Sequence, residues 1–277
     1  MLNTLSEILR DANERHYAVG AFNCLSVENV MGAIEAAEAL RAPIILQLAE
    51  VQFPEAPMEL MAPIFLKAAE RSSVPVCVHL DHGQSLETCI RAIRLGFTSV
   101  MFDGAALPFE ENVRCTQMVT RMAKAAGVDV EAELGRVGDS GVDTADVFTD
   151  VDESVRFIEA TGVDALAIAI GNLHGHYVHT PQLNIARLIE IHEANRLPLV
   201  LHGGSGTSVE DFKACIHNGI CKINVATAIQ RGIMKRIGET MREHPDVGYI
   251  PLKQVMIDAS REVVEEHIRL FESDGKS

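Results

Sequence analysis

Three histidines, His82, His174 and His202, each close an apolar run of the chain: VPVCVHLDHG from position 74, VDALAIAIGNLHG from 163 and LPLVLHGG from 197. Neutral imidazoles suit zinc, and three protein ligands with one open position are the pattern of a catalytic rather than a structural ion. Carboxylates stand at the ends of neighbouring runs: Asp81 beside His82, Asp103 in TSVMFDG and Glu133 in VDVEAELG. Asp103 and Glu133 could orient ligand imidazoles or hold a second cation. The run that ends in His202 continues through Gly203, Gly204 and Gly206 to Ser208 and Glu210, a glycine turn that opens a helix. Amides at a helix start point outward and carry about half a positive charge, so a phosphate can sit there without a basic side chain.

The elements that must position these residues follow one rhythm. Short apolar strands are expected at 18–23 and 43–49, then from 74, 98, 128 and 163, then at 197–204 and from 219. Each precedes an amphipathic stretch: 26–40 with Ser26 as its cap, 58–71, 85–95, 109–126, 152–160, 183–194, 208–217 and 226–242. Leu2, Leu5, Ile8 and Leu9 recur at helical spacing and predict an added helix at the amino end, and 252–271 predicts another at the carboxyl end. Eight βα units point to a closed (β/α)₈ TIM barrel with extra terminal helices, one domain over residues 1–277; an open doubly wound sheet fits less well because nothing marks a switch point. In such a barrel the active site lies at the carboxyl ends of the strands. The polar residues there are Asn23, Gln47, Asp81 with His82, Asp103, Glu133, Asn172 with His174, His202 and Asn224. His79 lies inside its strand and reads as a satisfied core histidine, while His176 and His179 could stand in for His174.

Composition narrows the partners. The net charge of −15 argues against a nucleic-acid footprint. No run approaches the roughly 20 apolar residues of a membrane span, and the amino terminus does not read as a signal peptide. Six cysteines stand without CxxC pairing, which favours reduced thiols and a cytoplasmic location.

The segments HLDHG (79–83), SVMFDG (99–104), EAELG (131–135), AIGNLHGHY (169–177), LHGGSG (201–206) and KINVAT (222–227) resemble the signature segments of class II, zinc-dependent ketose-bisphosphate aldolases, the fructose- and tagatose-bisphosphate group. They occur in the right order over nearly the whole chain. The resemblance implies that His82, His174 and His202 bind zinc and that Asp81 is the catalytic aspartate. It also implies that Asn224 binds oxygens on the carbonyl side of the substrate and that Gly175, Gly203, Ser205 and Thr227 hold phosphate; Asn23 is grouped with these substrate-facing residues. A monovalent cation, Na⁺ or K⁺, and a homodimer or homotetramer are implied likewise. The partner would be a small sugar phosphate, cleaved to dihydroxyacetone phosphate and an aldehyde. Such chemistry suits the residues, because breaking a carbon–carbon bond beside a ketone leaves negative charge that an electrophile must meet, while Asp81 takes the proton from the hydroxyl beyond the scissile bond.

Three departures from the family pattern concern the aldehyde half. The loop GRVGDSGVDTADVFTD offers Asp139, Asp143 and Asp146 as candidates for an acid that handles the second proton. QLAEVQFP has Ala49 and Glu50 where small polar residues and glycine are usual, and only Arg261 suggests itself for a second phosphate. A ketose 1-phosphate with a polar or acidic tail is therefore an alternative substrate. Two rival functions are a Schiff-base aldolase using Lys222 and a noncatalytic sugar-phosphate-binding or partner subunit.

Overall fold

The computed structural model describes residues 1–135, 137–139, 148–174, 182–204 and 206–277, and at 138, 139 and 174 it describes backbone alone. Eight parallel strands form the frame: β1 (Val19–Asn23), β2 (Ile44–Ala49), β3 (Val76–Gly83), β4 (Ser99–Phe102), β5 (Asp129–Leu134), β6 (Ala165–Ile168), β7 (Leu199–Leu201) and β8 (Ile220–Val225). Each pairs with the next, and β8 pairs with β1, so the sheet closes on itself. The expected TIM barrel is the observed architecture. These strands are buried almost throughout, as continuous apolar runs in a parallel sheet require.

Eight helices cover the outside: α2 (Val27–Leu40), α3 (Met58–Arg71), α4 (Leu86–Leu95), α5 (Phe109–Ala125), α6 (Val151–Thr161), α7 (Ile185–Asn195), α8 (Val209–His217) and α9 (Thr227–Glu243), flanked by α1 (Leu5–Arg15) and α10 (Tyr249–Leu270). Side chains of Ser26, Ser85, Asp150, Asn184 and Ser208 accept from amides in the first turns of their helices, which fixes where each βα loop ends. The amino end departs from expectation. Thr4 and Glu7 form a capping box that starts α1 at Leu5, and Leu2 instead pairs with Val76 in a short parallel strand. At the other end α10 starts at Tyr249 rather than 252, with Pro251 tolerated in its first turn. No described helix is long and apolar enough to cross a membrane.

The barrel interior divides into a dry lower half and a polar upper half, and strand alternation explains the division. Val19, Ala21, Ile45, Cys77, Met101, Ala165, Ala167 and Val200 form an apolar cluster with Leu5, Ile8, Leu9 and Ala12 of α1, which plugs the amino end. Two residues further along the same faces, side chains turn polar: Asn23 follows Ala21, Gln47 follows Ile45, and His79 then Asp81 follow Cys77.

Candidate active site

A bulge builds the centre of the site. Successive residues of a regular strand point to opposite faces, yet Asp81 and His82 both face the mouth of the barrel. The register between β3 and β4 slips between Leu80 and Gly83, and His82 takes a left-handed conformation with φ +45°. Gly83 must remain small, because a Cβ there would lie 2.7 Å from the carbonyl oxygen of Met101.

Asp81, buried, is held by three amides. Asn23 Nδ2 donates to its Oδ2 at 2.9 Å, Gln47 Nε2 to the same oxygen at 3.4 Å, and Asn224 Nδ2 to Oδ1 at 3.0 Å. Burial alone would raise this carboxyl, but the charges of His82, His202 and Lys222 and the Asn23 amide outweigh burial and hold it below the ordinary carboxylate range.

The two described imidazoles are oriented by carboxylates. His82 Nδ1 stands 2.8 Å from Asp103 Oδ2, and His202 Nε2 stands 2.8 Å from Glu131 Oε1. With those nitrogens donating, His82 Nε2 and His202 Nδ1 meet across 2.8 Å, as a hydrogen bond when one of them carries a proton and as two facing lone pairs when neither does. Two lone pairs at that separation repel unless a positive charge lies between them. The same demand appears in His82 itself: burial would depress it, yet Asp81, Asp103 and Glu133 raise it to about 10. Glu133, 3.8 Å from His82 Nδ1, is pushed up to about 8 by burial and by Asp103. The donor atoms of Asp81, His82 and His202 lie within 4.8 Å of one another, as do those of His82, Asp103 and Glu133. Nitrogen and carboxylate donors gathered around paired lone pairs fit a divalent cation such as zinc.

A cavity of about 570 Å³ opens above this cluster. Gly203 (φ +70°), Ala226, Thr227 and Gln230 line one side, where Ala226 has no side chain that could cap the first amides of α9. Val51, Gln52, Gln84, Ala105 and Ala106 also line it.

The structure thus brings together Asn23, Asp81, His82, Asp103, Glu133, His202, Gly203, Asn224 and Thr227. His174 follows β6, and its backbone pairs with Asp139. Asn172 ties that loop to β7 by donating to the carbonyl of His202 at 3.0 Å. Gly175, Ser205, His176, His179, Asp143 and Asp146 lie outside the described residues. Arg261 sits on α10 beside Asp258 and Glu265, and it is absent from the cavity lining among the described residues. Glu50 supports the fold by accepting from the Gln84 amide at 2.7 Å and the Thr88 hydroxyl at 2.9 Å. Lys222 is corrected as a Schiff-base candidate: its ammonium is fully buried below the cavity, 2.8 Å from Glu131, so no free amine faces a substrate. Sequence reasoning overlooked Glu131. Its signal was the alternation in EAE, which puts Glu131 on the same face as Glu133, one layer deeper.

A closed barrel with a buried carboxylate, paired imidazoles and a glycine turn at the carboxyl ends of its strands has the layout of a (β/α)₈ enzyme. The chain belongs to the class II fructose-bisphosphate aldolase family, whose model, "Fructose-bisphosphate aldolase class-II", matches residues 3–276. It is 40% identical to the probable fructose-bisphosphate aldolase of Bacillus subtilis (strain 168), over 96% of this chain and 95% of that one. It is 37% identical to the sulfofructosephosphate aldolase of Alkalicoccus urumqiensis, over 98% and 96%. The crystal structure of the YdjI aldolase from Escherichia coli K12 superposes with a TM-score of 0.92 at 37% identity, covering 100% of this chain and 99% of that one. The protein is an aldolase, and its chemistry is retro-aldol cleavage of ketose phosphates.

Proposed function

We propose that this aldolase is zinc-dependent and releases dihydroxyacetone phosphate and an aldehyde from a ketose 1-phosphate or 1,6-bisphosphate. The observation that carries the reading is the facing of His82 Nε2 and His202 Nδ1, each oriented by its own carboxylate. His82, His202 and His174 would hold the ion, with Asp103 and Glu133 beside them. A divalent ion bound there supplies the positive charge that polarises the ketone.

The remaining work falls to the chain's own groups. Asp81, kept ionised, takes the proton from the hydroxyl beyond the scissile bond. That carbon becomes a carbonyl, and the bonding pair stays with the ketone fragment, which a second proton then neutralises. Asn23, Gln47 and Asn224 aim the Asp81 carboxylate. The turn at Gly203 and the start of α9 at Thr227 hold the phosphate, joined by Gly175 and Ser205, and so fix where the ketone lies. A monovalent cation, Na⁺ or K⁺, assists that phosphate site.

The described lining of the cavity holds neither Lys nor Arg; besides the acids, imidazoles and asparagines already named, its polar side chains are Gln52, Gln84, Thr227 and Gln230. A ketose 1-phosphate with a polar or acidic tail is therefore tested beside fructose and tagatose 1,6-bisphosphates. The described cysteines are free, which supports a reducing, cytoplasmic setting, and assembly as a homodimer or homotetramer belongs to the same reading. Screening ketose mono- and bisphosphates tests it. Cleavage lost to a chelator and restored by zinc is expected; cleavage indifferent to chelator, or absent for every ketose phosphate, overturns it.

A further inference from the structure

One level below the paired imidazoles lies a charged group that the cleavage chemistry does not touch. Lys222 on β8 and Glu131 on β5 are fully buried, with Nζ 2.8 Å from Oε2. Burying two charges is costly unless each is well partnered. Each of these also makes a contact toward the site. Glu131 Oε1 lies 2.8 Å from His202 Nε2, and Lys222 donates to Asn224 Oδ1 at 2.7 Å. His79 buttresses the pair from β3, with Nε2 3.4 Å from Glu131 Oε2 and Nδ1 2.9 Å from Ser99 Oγ.

Those contacts decide two orientations that a ring and an amide could otherwise take either way. With Nε2–H on Glu131, His202 turns the lone pair of Nδ1 toward His82. With Oδ1 on the ammonium, Asn224 must present Nδ2 to Asp81, 3.0 Å away. A flipped amide would set a carbonyl oxygen against the carboxylate. We propose that Lys222 is a positioning residue that sets both halves of the site from beneath: through Glu131 it fixes the tautomer of His202 for the metal, and through Asn224 it fixes the amide that aims Asp81. It touches neither substrate nor metal.

This inference rests on the zinc-dependent reading above. Apo forms of the full-length protein and of Lys222→Met are titrated with zinc against a chromophoric chelator, their cobalt(II) spectra are recorded, and kcat is measured at saturating zinc. For a folded Lys222→Met, zinc should bind about 10- to 100-fold more weakly, the cobalt bands should shift, and kcat should fall about tenfold or more. Unchanged zinc affinity and cobalt spectrum would overturn the link through Glu131, and unchanged kcat the link through Asn224. Wild-type protein that takes up no zinc would overturn the zinc-dependent reading itself. If Lys222→Met does not fold, Lys222→Met with Glu131→Gln, which leaves no unpaired buried charge, is compared with Glu131→Gln alone: a further fall in kcat is expected, and equal kcat would overturn the link through Asn224.

Discussion

Asp81 accepts from three side-chain amides and carries no proton at neutral pH, which suits a base and not an acid in the cleavage direction. Asp81→Ala should lower kcat by about 10²- to 10⁴-fold while zinc stays bound, the loss typical of a removed general base. Turnover within a few-fold of wild type would take Asp81 out of the mechanism. His202→Ala should cut zinc content, read by atomic absorption on dialysed protein, because Glu131 would then orient nothing. Full occupancy would break the proposed ligand set. Asp81, His82 and His202 were legible because polar residues ending apolar runs can converge only at one rim of a barrel. Glu131 was hidden in an apolar strand whose alternation also fits an ordinary interior position. Nor does any residue type announce the left-handed backbone of His82, which depends on the slip against β4.

The helices were legible from capping residues and period, and the strands from apolar runs buried on both faces. The short pairing of Gly138–Asp139 with Leu173–His174 was not, since two residues carry no periodicity. One close helix contact was equally unannounced. A Cβ at Gly32 of α2 would lie 2.5 Å from the carbonyl oxygen of Ile257 and 2.6 Å from Cβ of Ser260 on α10. Gly32→Ala should therefore push α10 away from α2. Overpacking of this kind costs about 1–3 kcal/mol, partly offset by the better helix propensity of Ala, at most about 1 kcal/mol. A lower urea midpoint is the expected reading; a higher one would mean that the two helices can part freely.

At the scale of the whole molecule, α10 also carries an acid-sensitive group. His267 donates from Nδ1 to the carbonyl of Val263 at 2.7 Å and meets the rings of Phe22 and Phe271 edge-on. Burial there outweighs the carbonyl and holds the imidazole below its ordinary value of 6.5. Below that value the unfolded chain takes up a proton that the folded chain refuses, so the contribution is intact at neutral pH and lost as the pH falls through the depressed value. His267→Leu should flatten the fall in Tm as the pH drops below about 6.5; an unchanged slope would assign the acid sensitivity elsewhere. The fold class was legible at this scale because eight alternating units leave few ways to close a sheet.

The helix that stoppers the amino end has a kinetic consequence. Among the described residues Leu5, Ile8, Leu9 and Ala12 leave no way through the floor, so a molecule bound in the polar half leaves by the end at which it came in.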